Sequence, residues 1–200
     1  MKQIFEIKDK ELIDDILNSI EFGTLALCDG NRPYSLPINF VAVDDAIYFH
    51  GAKKGRKIDI LKNNNLVSFS VVEPYSFIPS YFSSNDGLAC PATQFFKSVI
   101  IDGNIEFVKS FEEKVNALSK LMKKLQKEGG YRPFSEKYYQ QSIEATEVYK
   151  LIPHKTRAKF KFGQHLTKKR FDMIVEHLEK RGDKKDLLTI KAMKSIRGMA

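Results

Sequence analysis

The segment A-I-Y-F-H-G-A-K-K-G-R-K, from Ala46 to Lys57, runs an apolar strand into a turn bracketed by two glycines. The turn and the residues after it carry four cations, at Lys53, Lys54, Arg56 and Lys57. Phosphate oxygens accept hydrogen bonds both from the planar fork of Arg and from the point charge of Lys. The segment therefore predicts a phosphate-binding turn at the end of a β-strand, with Lys53 and Lys54 as its more peripheral surface lysines.

A second segment, Q-F-F-K-S-V-I-I-D-G from Gln94 to Gly103, predicts a strand that carries Lys97 and Ser98 near its start. An ammonium group and a hydroxyl on a strand suit a phosphate-ended ligand that lies against a sheet. The alternative for Lys97 is a protective lysine on an edge strand. The alternative for the first segment, a solvated helix start, is disfavoured because cations at a helix N-terminus oppose the helix dipole.

Composition predicts a water-soluble cytoplasmic protein with one substantial core. The 200 residues are 42% hydrophobic and 29% charged, which are ordinary globular values. No apolar run approaches the ~20 residues that span a membrane, and the N-terminus lacks a signal-peptide core. Cys28 and Cys90 form no C-x-x-C pair, so we expect a reducing compartment, with Cys28 in the core and Cys90 packed in a loop.

The basic excess lies at the end of the chain. Residues 150–200 hold 15 Lys and Arg against 5 Asp and Glu, whereas the other residues hold 18 against 20. Such asymmetry raises the possibility of a polyanionic partner. The alternative, which we prefer at this point, is a solvated helical surface.

Periodicity and turn signals predict six strands with helices around them. The strands are predicted at residues 24–28, 34–43, 47–50, 66–72, 95–108 and 146–152, with glycine permitting a bulge at 102–103. Helices are predicted after Asp9 and at 56–63, 111–125, 135–143, 168–181 and 184–196. Residues 73–93 are expected to be an irregular loop, and residues 155–163 an extended basic tail. Six strands joined mainly by hairpins indicate a small antiparallel barrel.

Four segments carry a resemblance to a known family: G-T-L-A-L at 23–27, P-Y-S-L-P-I-N-F at 33–40, I-Y-F-H-G-A-K-K-G-R-K at 47–57 and F-K-S-V-I-I-D-G at 96–103. In order and spacing the chain resembles the FMN-binding split-barrel family typified by pyridoxamine 5'-phosphate oxidase. Within it, the chain is most similar to the nitroimidazole-resistance, or Nim-like, branch. The resemblance covers roughly residues 1–150, which is more specific than any single motif.

The resemblance implies a mainly β fold with peripheral helices, a six-stranded antiparallel split β-barrel. It implies an FMN-binding domain at residues 1–152, and we expect residues 153–200 to form a basic helical C-terminal extension packed on the barrel. Members of the family form homodimers with FMN in the groove between subunits. Homodimerisation would also cover exposed edge strands.

The resemblance also implies the cofactor ligands. Arg56 and Lys57 match the basic pair that holds the FMN phosphate, and Lys97 and Ser98 match a second contribution to the phosphate or ribityl chain. The other implied cofactor contacts are Gln94, beside the ribityl chain or flavin edge, and the strand residues that line the isoalloxazine ring, Leu36, Pro37, Ile38 and Asn39. His50 ends a strand at this site and is the candidate catalytic residue, since a histidine can polarise a substrate or donate a proton.

The function implied is that of an FMN-dependent oxidoreductase that reduces a small nitro-compound-like electrophile. NADPH or NADH would arrive transiently, because no G-x-G-x-x-G element follows a strand. One alternative is a flavin-binding transcriptional regulator of PaiB type, because the segment K-F-K-F-G-Q at 159–164 resembles a segment of PaiB-type proteins. In such a regulator the basic tail would contact nucleic acid. A second alternative is a haem-binding split-barrel protein. The four histidines lack zinc-site spacing, so no metal is expected.

Overall fold

The first helix, α1 (Lys10–Ser19), forms as predicted because Asp9 caps it. The Asp9 carboxylate accepts a hydrogen bond of 2.9 Å from the backbone N–H of Glu11, which satisfies a donor that has no partner within the helix. The computed structural model describes residues 2–198, so the outer ends of the two predicted regions, 1–152 and 153–200, lie outside the described residues.

Eight strands and six α-helices make up the described chain. The strands are Glu6–Ile7 (β1), Phe22–Asp29 (β2), Arg32–Asn39 (β3), Val41–Val43 (β4), Ala46–Gly51 (β5), Leu66–Ile78 (β6), Thr93–Phe107 (β7) and Glu147–Lys161 (β8). The remaining helices are Arg56–Asn63 (α2), Phe111–Leu125 (α3), Gln140–Ala145 (α4), Lys168–Arg181 (α5) and Lys184–Gly198 (α6). Short 3-10 turns occupy Gln3–Phe5, Ser80–Phe82 and Lys137–Tyr139.

The strand order shows how the sheet closes. Hydrogen-bonded neighbours follow the order β3-β2-β6-β7-β8-β5-β4, with β1 paired to β8. Strands β3 and β4 stand at opposite ends of this order, yet only Phe40 separates them in the chain. The sheet must therefore curl back toward itself, as in a split barrel. The predicted fold, mainly β with peripheral helices, is confirmed.

The strand count differs from the predicted six at two places. The predicted strand 34–43 is divided into β3, which pairs with β2, and β4, which pairs with β5. Phe40 and Val41 are both buried, so the alternation of inward residues changes phase at the break. Ala42 therefore does not share a face with Leu36, Ile38 and Phe40; Val41 and Val43 point inward instead. The other addition is the two-residue β1.

Two strands extend well beyond their predicted ends. Strand β6 continues to Ile78, so the first part of the predicted irregular loop is regular β-structure that includes the exposed Pro74. Strand β8 runs without interruption to Lys161, and its last part pairs with β1. The predicted boundary at residues 152–153 falls within β8; the division into two domains there stays a prediction.

The chain forms two compact units. The larger comprises residues 9–71 and 99–157. In it α3 packs on β4 and β5, and the shared core contains Val41, Val43, Tyr48, Leu118, Leu121, Ile143 and Val148. Gly103 also belongs to this unit and lies within β7, which continues through it to Phe107. A Cβ there would lie 2.1 Å from the carbonyl oxygen of Ile152, so the glycine permits close backbone approach.

The smaller unit comprises the described parts of residues 1–8, 72–98 and 158–200. Helices α5 and α6 pack together. Of the four apolar residues that form a stripe along α5, Phe171, Ile174 and Leu178 are buried and Val175 is half-buried. Both cysteines of the chain are exposed, contrary to the prediction that Cys28 is core and Cys90 packed. Among residues 2–198, no helix is long and apolar enough to cross a membrane.

Candidate functional site

The predicted cofactor ligands divide between the two units. The larger unit holds Leu36, Pro37, Ile38, Asn39, His50, Arg56 and Lys57, and the smaller unit holds Gln94, Lys97 and Ser98. Each group has its own local geometry.

The start of α2 is shaped by Gly55. This residue caps the helix with φ 114° and ψ 171°, a backbone conformation that favours glycine. Its carbonyl oxygen accepts hydrogen bonds from the N–H groups of Ile58 and Asp59 at 3.0 and 3.2 Å. The N–H groups of Arg56 and Lys57 come before this first helical turn closes, so they have no partner within the helix. The sequence thus places two free donors and two cations at one helix start.

Lys57 is a partly buried cation held against aromatic rings. Its Nζ lies 4.5 Å from the ring centroid of Tyr149 and 5.4 Å from that of Phe49, and these two rings stack with centroids 4.8 Å apart. Burial lowers the pKa of the Lys57 ammonium below its usual value. No hydrogen bond or ion pair to Lys57 is formed within residues 2–198. An anion at this point would therefore compensate an otherwise unpaired charge.

His50, at the end of β5, shares the electrostatic surroundings of Lys57. Its pKa is lowered first by loss of solvent and second by the positive charge of Lys57, although the residue as a whole is exposed. The imidazole is therefore neutral at pH 7. In that form it can donate or accept a hydrogen bond, but it is a poor source of a proton.

Arg56 lies on the exposed side of the same helix start. Its guanidinium sits 4.4 Å above the ring of Tyr34 and 3.4 Å from an oxygen of Asp29. The side chain is 54% exposed, and an exposed ion pair of this length contributes little to stability. Arg56 is thus free to exchange Asp29 for another anion.

The β3 residues offer a partly apolar strand at an end of the strand order. Ile38 is buried, Leu36 is half-buried and Pro37 is exposed. The missing N–H of Pro37 is tolerated at such a position. The Asn39 amide donates to the carbonyl of Glu21 at 3.1 Å, so one of its donors is already used within the fold.

In the smaller unit, Lys97 already has a partner. Its Nζ lies 3.7 Å from a carboxylate oxygen of Glu73 and within about 5.5 Å of the rings of Tyr75 and Phe160. The Gln94 amide donates to the carbonyl oxygens of Tyr75 and Phe95. Ser98 is half-buried on the same strand.

Three contacting residues escaped the sequence reasoning, namely Tyr34, Tyr149 and Glu73. Tyr34 and Tyr149 lie beside the two cations at the start of α2, and Glu73 pairs with Lys97. The sequence places each of these residues in a strand or a loop. Which cation each one contacts depends on long-range strand pairing, which the sequence does not show. Within the described chain no group of three or more His, Cys, Asp or Glu side chains could hold a metal ion.

Three solved structures share this fold. A structure from Bacteroides thetaiotaomicron VPI-5482, provisionally assigned to 5-nitroimidazole antibiotic resistance, is 24% identical over 77% of this chain and 85% of its own, with a TM-score of 0.63. A FAD and haem binding protein from Mycobacterium smegmatis is 21% identical over 79% and 74%, with a TM-score of 0.65. A flavocytochrome from Azotobacter vinelandii is 21% identical over 82% and 73%, with a TM-score of 0.66.

Identities this low establish the shared fold alone. No curated protein matches the chain significantly in sequence. A sequence profile described as pyridoxamine 5'-phosphate oxidase, however, matches residues 9–160, which is most of the chain. The matched range includes the α2 start, β3 and the segment around Lys97. The chain therefore belongs to the pyridoxamine 5'-phosphate oxidase family.

Proposed function

We propose that this protein binds FMN and that Lys57, with Arg56, holds the cofactor's phosphate. The observation that carries the proposal is the partly buried Lys57 ammonium at a helix start, without an acidic partner in residues 2–198. Family membership and the flavin-binding proteins of the same fold support a flavin as the ligand.

The local chemistry fits a phosphate group. A dianion would accept hydrogen bonds from the free N–H groups at the start of α2 and gain from the helix dipole. Lys57, held against the rings of Tyr149 and Phe49, would supply a point charge. Arg56 would supply the planar fork of its guanidinium once it no longer pairs with Asp29. Gly55 permits close approach because it presents no side chain, and a Cβ there would meet nothing within 4 Å.

The remaining predicted ligands keep the roles that the family resemblance implies. In this proposal Leu36, Pro37, Ile38 and Asn39 line the flat ring, and such a wall suits it because most ligand sites are apolar with few polar groups. Gln94, Lys97 and Ser98 stay predicted cofactor contacts. Lys97 would have to share its charge between Glu73 and the cofactor.

We infer an oxidoreductase that reduces a small electrophile of the nitro-compound class, with NADPH or NADH as transient electron donor. Bound flavin would supply the redox chemistry, and the protein binds, orients and shields it. His50, whose pKa is lowered by loss of solvent and by the charge of Lys57, would position the substrate through a hydrogen bond. The nitroimidazole-resistance assignment of the Bacteroides structure is consistent with this substrate class.

The visible spectrum of the purified protein, before and after incubation with FMN, tests the cofactor. Flavin absorption bands are expected, and a protein that stays colourless after FMN addition would refute the proposal. A dominant haem band would establish the alternative haem-binding role instead. Titration with FMN, FAD and riboflavin then identifies the flavin.

Variants of α2 test the phosphate site. Lys57→Met keeps the apolar stem, and it should weaken FMN at least about tenfold while leaving riboflavin nearly unchanged, since one hydrogen bond to a charged group contributes about 1.5–3 kcal/mol. Lys62→Met, near the other end of the same helix, is the matched control. Equal weakening of both ligands by Lys57→Met would assign Lys57 to the fold alone.

A further inference from the structure

A cavity of about 460 Å³ lies within the smaller unit, and none of the residues proposed above to bind flavin lines it. Three basic side chains converge on it, those of Lys161, His165 and Arg170, and its lining includes no carboxylate. The hydroxyl-bearing residues Thr93 and Thr167 also line it. This size is typical of a small-molecule site.

The segment K-F-K-F-G-Q, residues 159–164, contributes Lys161 to this cavity and leads into His165 and Leu166, which also line it. Gly163 has φ 80°, and a Cβ there would lie 2.9 Å from Leu166 and 3.3 Å from Phe95. The side chain of Gln164 ties the turn, because it accepts from the N–H of Phe162 at 2.8 Å and donates to the carbonyl of Phe160 at 2.7 Å. The turn therefore directs the chain from Lys161 at the end of β8 to His165 on the cavity wall.

Arg170, at the start of α5, also lines the cavity. Its Nε donates to the carbonyl oxygen of Ser83 at 3.0 Å, and its Nη2 lies 3.3 Å from the Ser83 hydroxyl. These contacts fix the guanidinium without neutralising it. The positive charge of Arg170 helps to lower the pKa of the Asp86 carboxyl. Hydrogen bonds to Leu88 and Ser84 lower that pKa more than Arg170 does. Asp86 does not line this cavity.

The positive charge around the cavity is poorly compensated. Burial lowers the pKa of His165, and the charges of Lys2, Lys161 and Arg170 lower it further. The pKa of Lys161 is itself lowered by burial and by Lys159. The Lys161 ammonium does contact the hydroxyl of Thr93, but a hydroxyl cannot neutralise it. On an ordinary solvated surface, basic side chains stay apart in water, whereas here they lie close together in a partly enclosed space.

The cavity also has an apolar side. Pro91, Ala92 and Leu166 are half-buried and line it, in front of the fully buried Phe95 and Ile174. Inorganic phosphate alone would leave this surface unused. A ligand that satisfies both sides carries an anionic group at one end and an apolar body at the other.

We propose that this cavity is a second ligand site, for a small organic anion whose phosphate or carboxylate group lies among Lys161, His165 and Arg170 and whose apolar body lies against Pro91, Ala92 and Leu166. The site is independent of the flavin. It gives the basic C-terminal residues a small-molecule role in place of contact with nucleic acid.

Calorimetric titration of the full-length protein tests the site with four probes: phenyl phosphate, benzoate, inorganic phosphate and neutral benzyl alcohol. Phenyl phosphate or benzoate should bind, the tighter of the two identifying the anionic group, and both inorganic phosphate and benzyl alcohol should bind at least about tenfold more weakly. Equal binding of inorganic phosphate would overturn the proposal. The absence of detectable binding by both phenyl phosphate and benzoate at concentrations up to about 10 mM would overturn it as well.

Variants locate the binding. Lys161→Gln and His165→Asn should each weaken the aromatic anion about tenfold, while Lys180→Gln, which removes a charge from the exposed far end of α5, should leave it unchanged. Lys57→Met must bind it normally, since loss of binding there would place the anion at the flavin phosphate site. An equal effect of Lys180→Gln would reduce the interaction to general charge attraction. Circular dichroism spectra and melting temperatures confirm that each variant is folded.

Discussion

The Asp186 carboxylate accepts a hydrogen bond of 2.6 Å from the hydroxyl of Ser76, 110 residues earlier in the chain. Arg181 binds the same carboxylate through two nitrogens at 2.5 and 2.7 Å. The Asp186 side chain is only 1% exposed. This buried network ties α6 to β6 within the smaller unit, and Arg181 holds the pKa of Asp186 below its usual value.

Asp186→Asn should therefore destabilise the protein by roughly 2–4 kcal/mol, because it leaves the Arg181 guanidinium without its buried partner. Asp183→Asn is the matched control: that carboxylate is 73% exposed and 3.9 Å from Arg181, so its loss should cost less than about 1 kcal/mol. Urea unfolding measures both. Similar losses in the two variants would show that the buried network contributes no special stability.

Lys124 should make stability depend on alkaline pH. Its ammonium donates to the carbonyl oxygens of Leu17 and Phe40 at 2.7 and 3.0 Å and lies 3.6 Å from the Phe40 ring. Burial lowers its pKa from 10.5 to about 8. Between these two values the unfolded chain binds a proton that the folded chain does not, so the stability contribution rises as pH increases through this window.

Over that window the gain should be at most about 3 kcal/mol, at 1.36 kcal/mol for each pKa unit. The measurement is the unfolding free energy between pH 7.5 and 10.5 for the natural protein, Lys124→Met and the exposed-site control Lys123→Met. The difference between the natural protein and Lys124→Met should grow with pH. A difference that stays flat would contradict the lowered pKa.

Gly103→Ala should disrupt the larger unit. The added Cβ would lie 2.1 Å from the backbone oxygen of Ile152, and backbone within a sheet cannot move aside as a flexible side chain can. We expect a loss of about 3 kcal/mol or more, at the upper end for overpacking. Gly198→Ala is the control, since nothing lies within 4 Å of a Cβ at that position. A Gly103→Ala protein with unchanged melting temperature would refute this account of the glycine.

We expect the protein to be a homodimer whose assembly is linked to flavin binding. The larger unit exposes the apolar side chains of Phe22 and Leu66, at 56% and 58%, and a second copy is the partner that the family resemblance implies. Leu66→Glu should dissociate the dimer and weaken FMN binding together. Leu188→Glu, also on an exposed leucine, should do neither. Sedimentation of a flavin-loaded monomer would exclude the linkage.

The sequence alone determined the elements whose signals are local. Helices α2 and α5 begin and end at their predicted residues because caps, apolar spacing and following glycine or asparagine residues lie within each segment. The hairpin between β2 and β3 follows from its Asp-Gly-Asn turn. The order of four motifs was enough to indicate the family, which the matched profile established.

Tertiary structure decided what depends on distant partners. The break at Phe40 exists because β3 pairs with β2 whereas β4 pairs with β5, and β8 extends to Lys161 where β1 pairs with it. The same holds for the sites. Nothing near Lys57 in sequence reveals Tyr149, and nothing near Lys161 reveals Arg170. Spacing along a chain fixes which residues share a helix face or strand, but strand pairing and packing fix which charges meet.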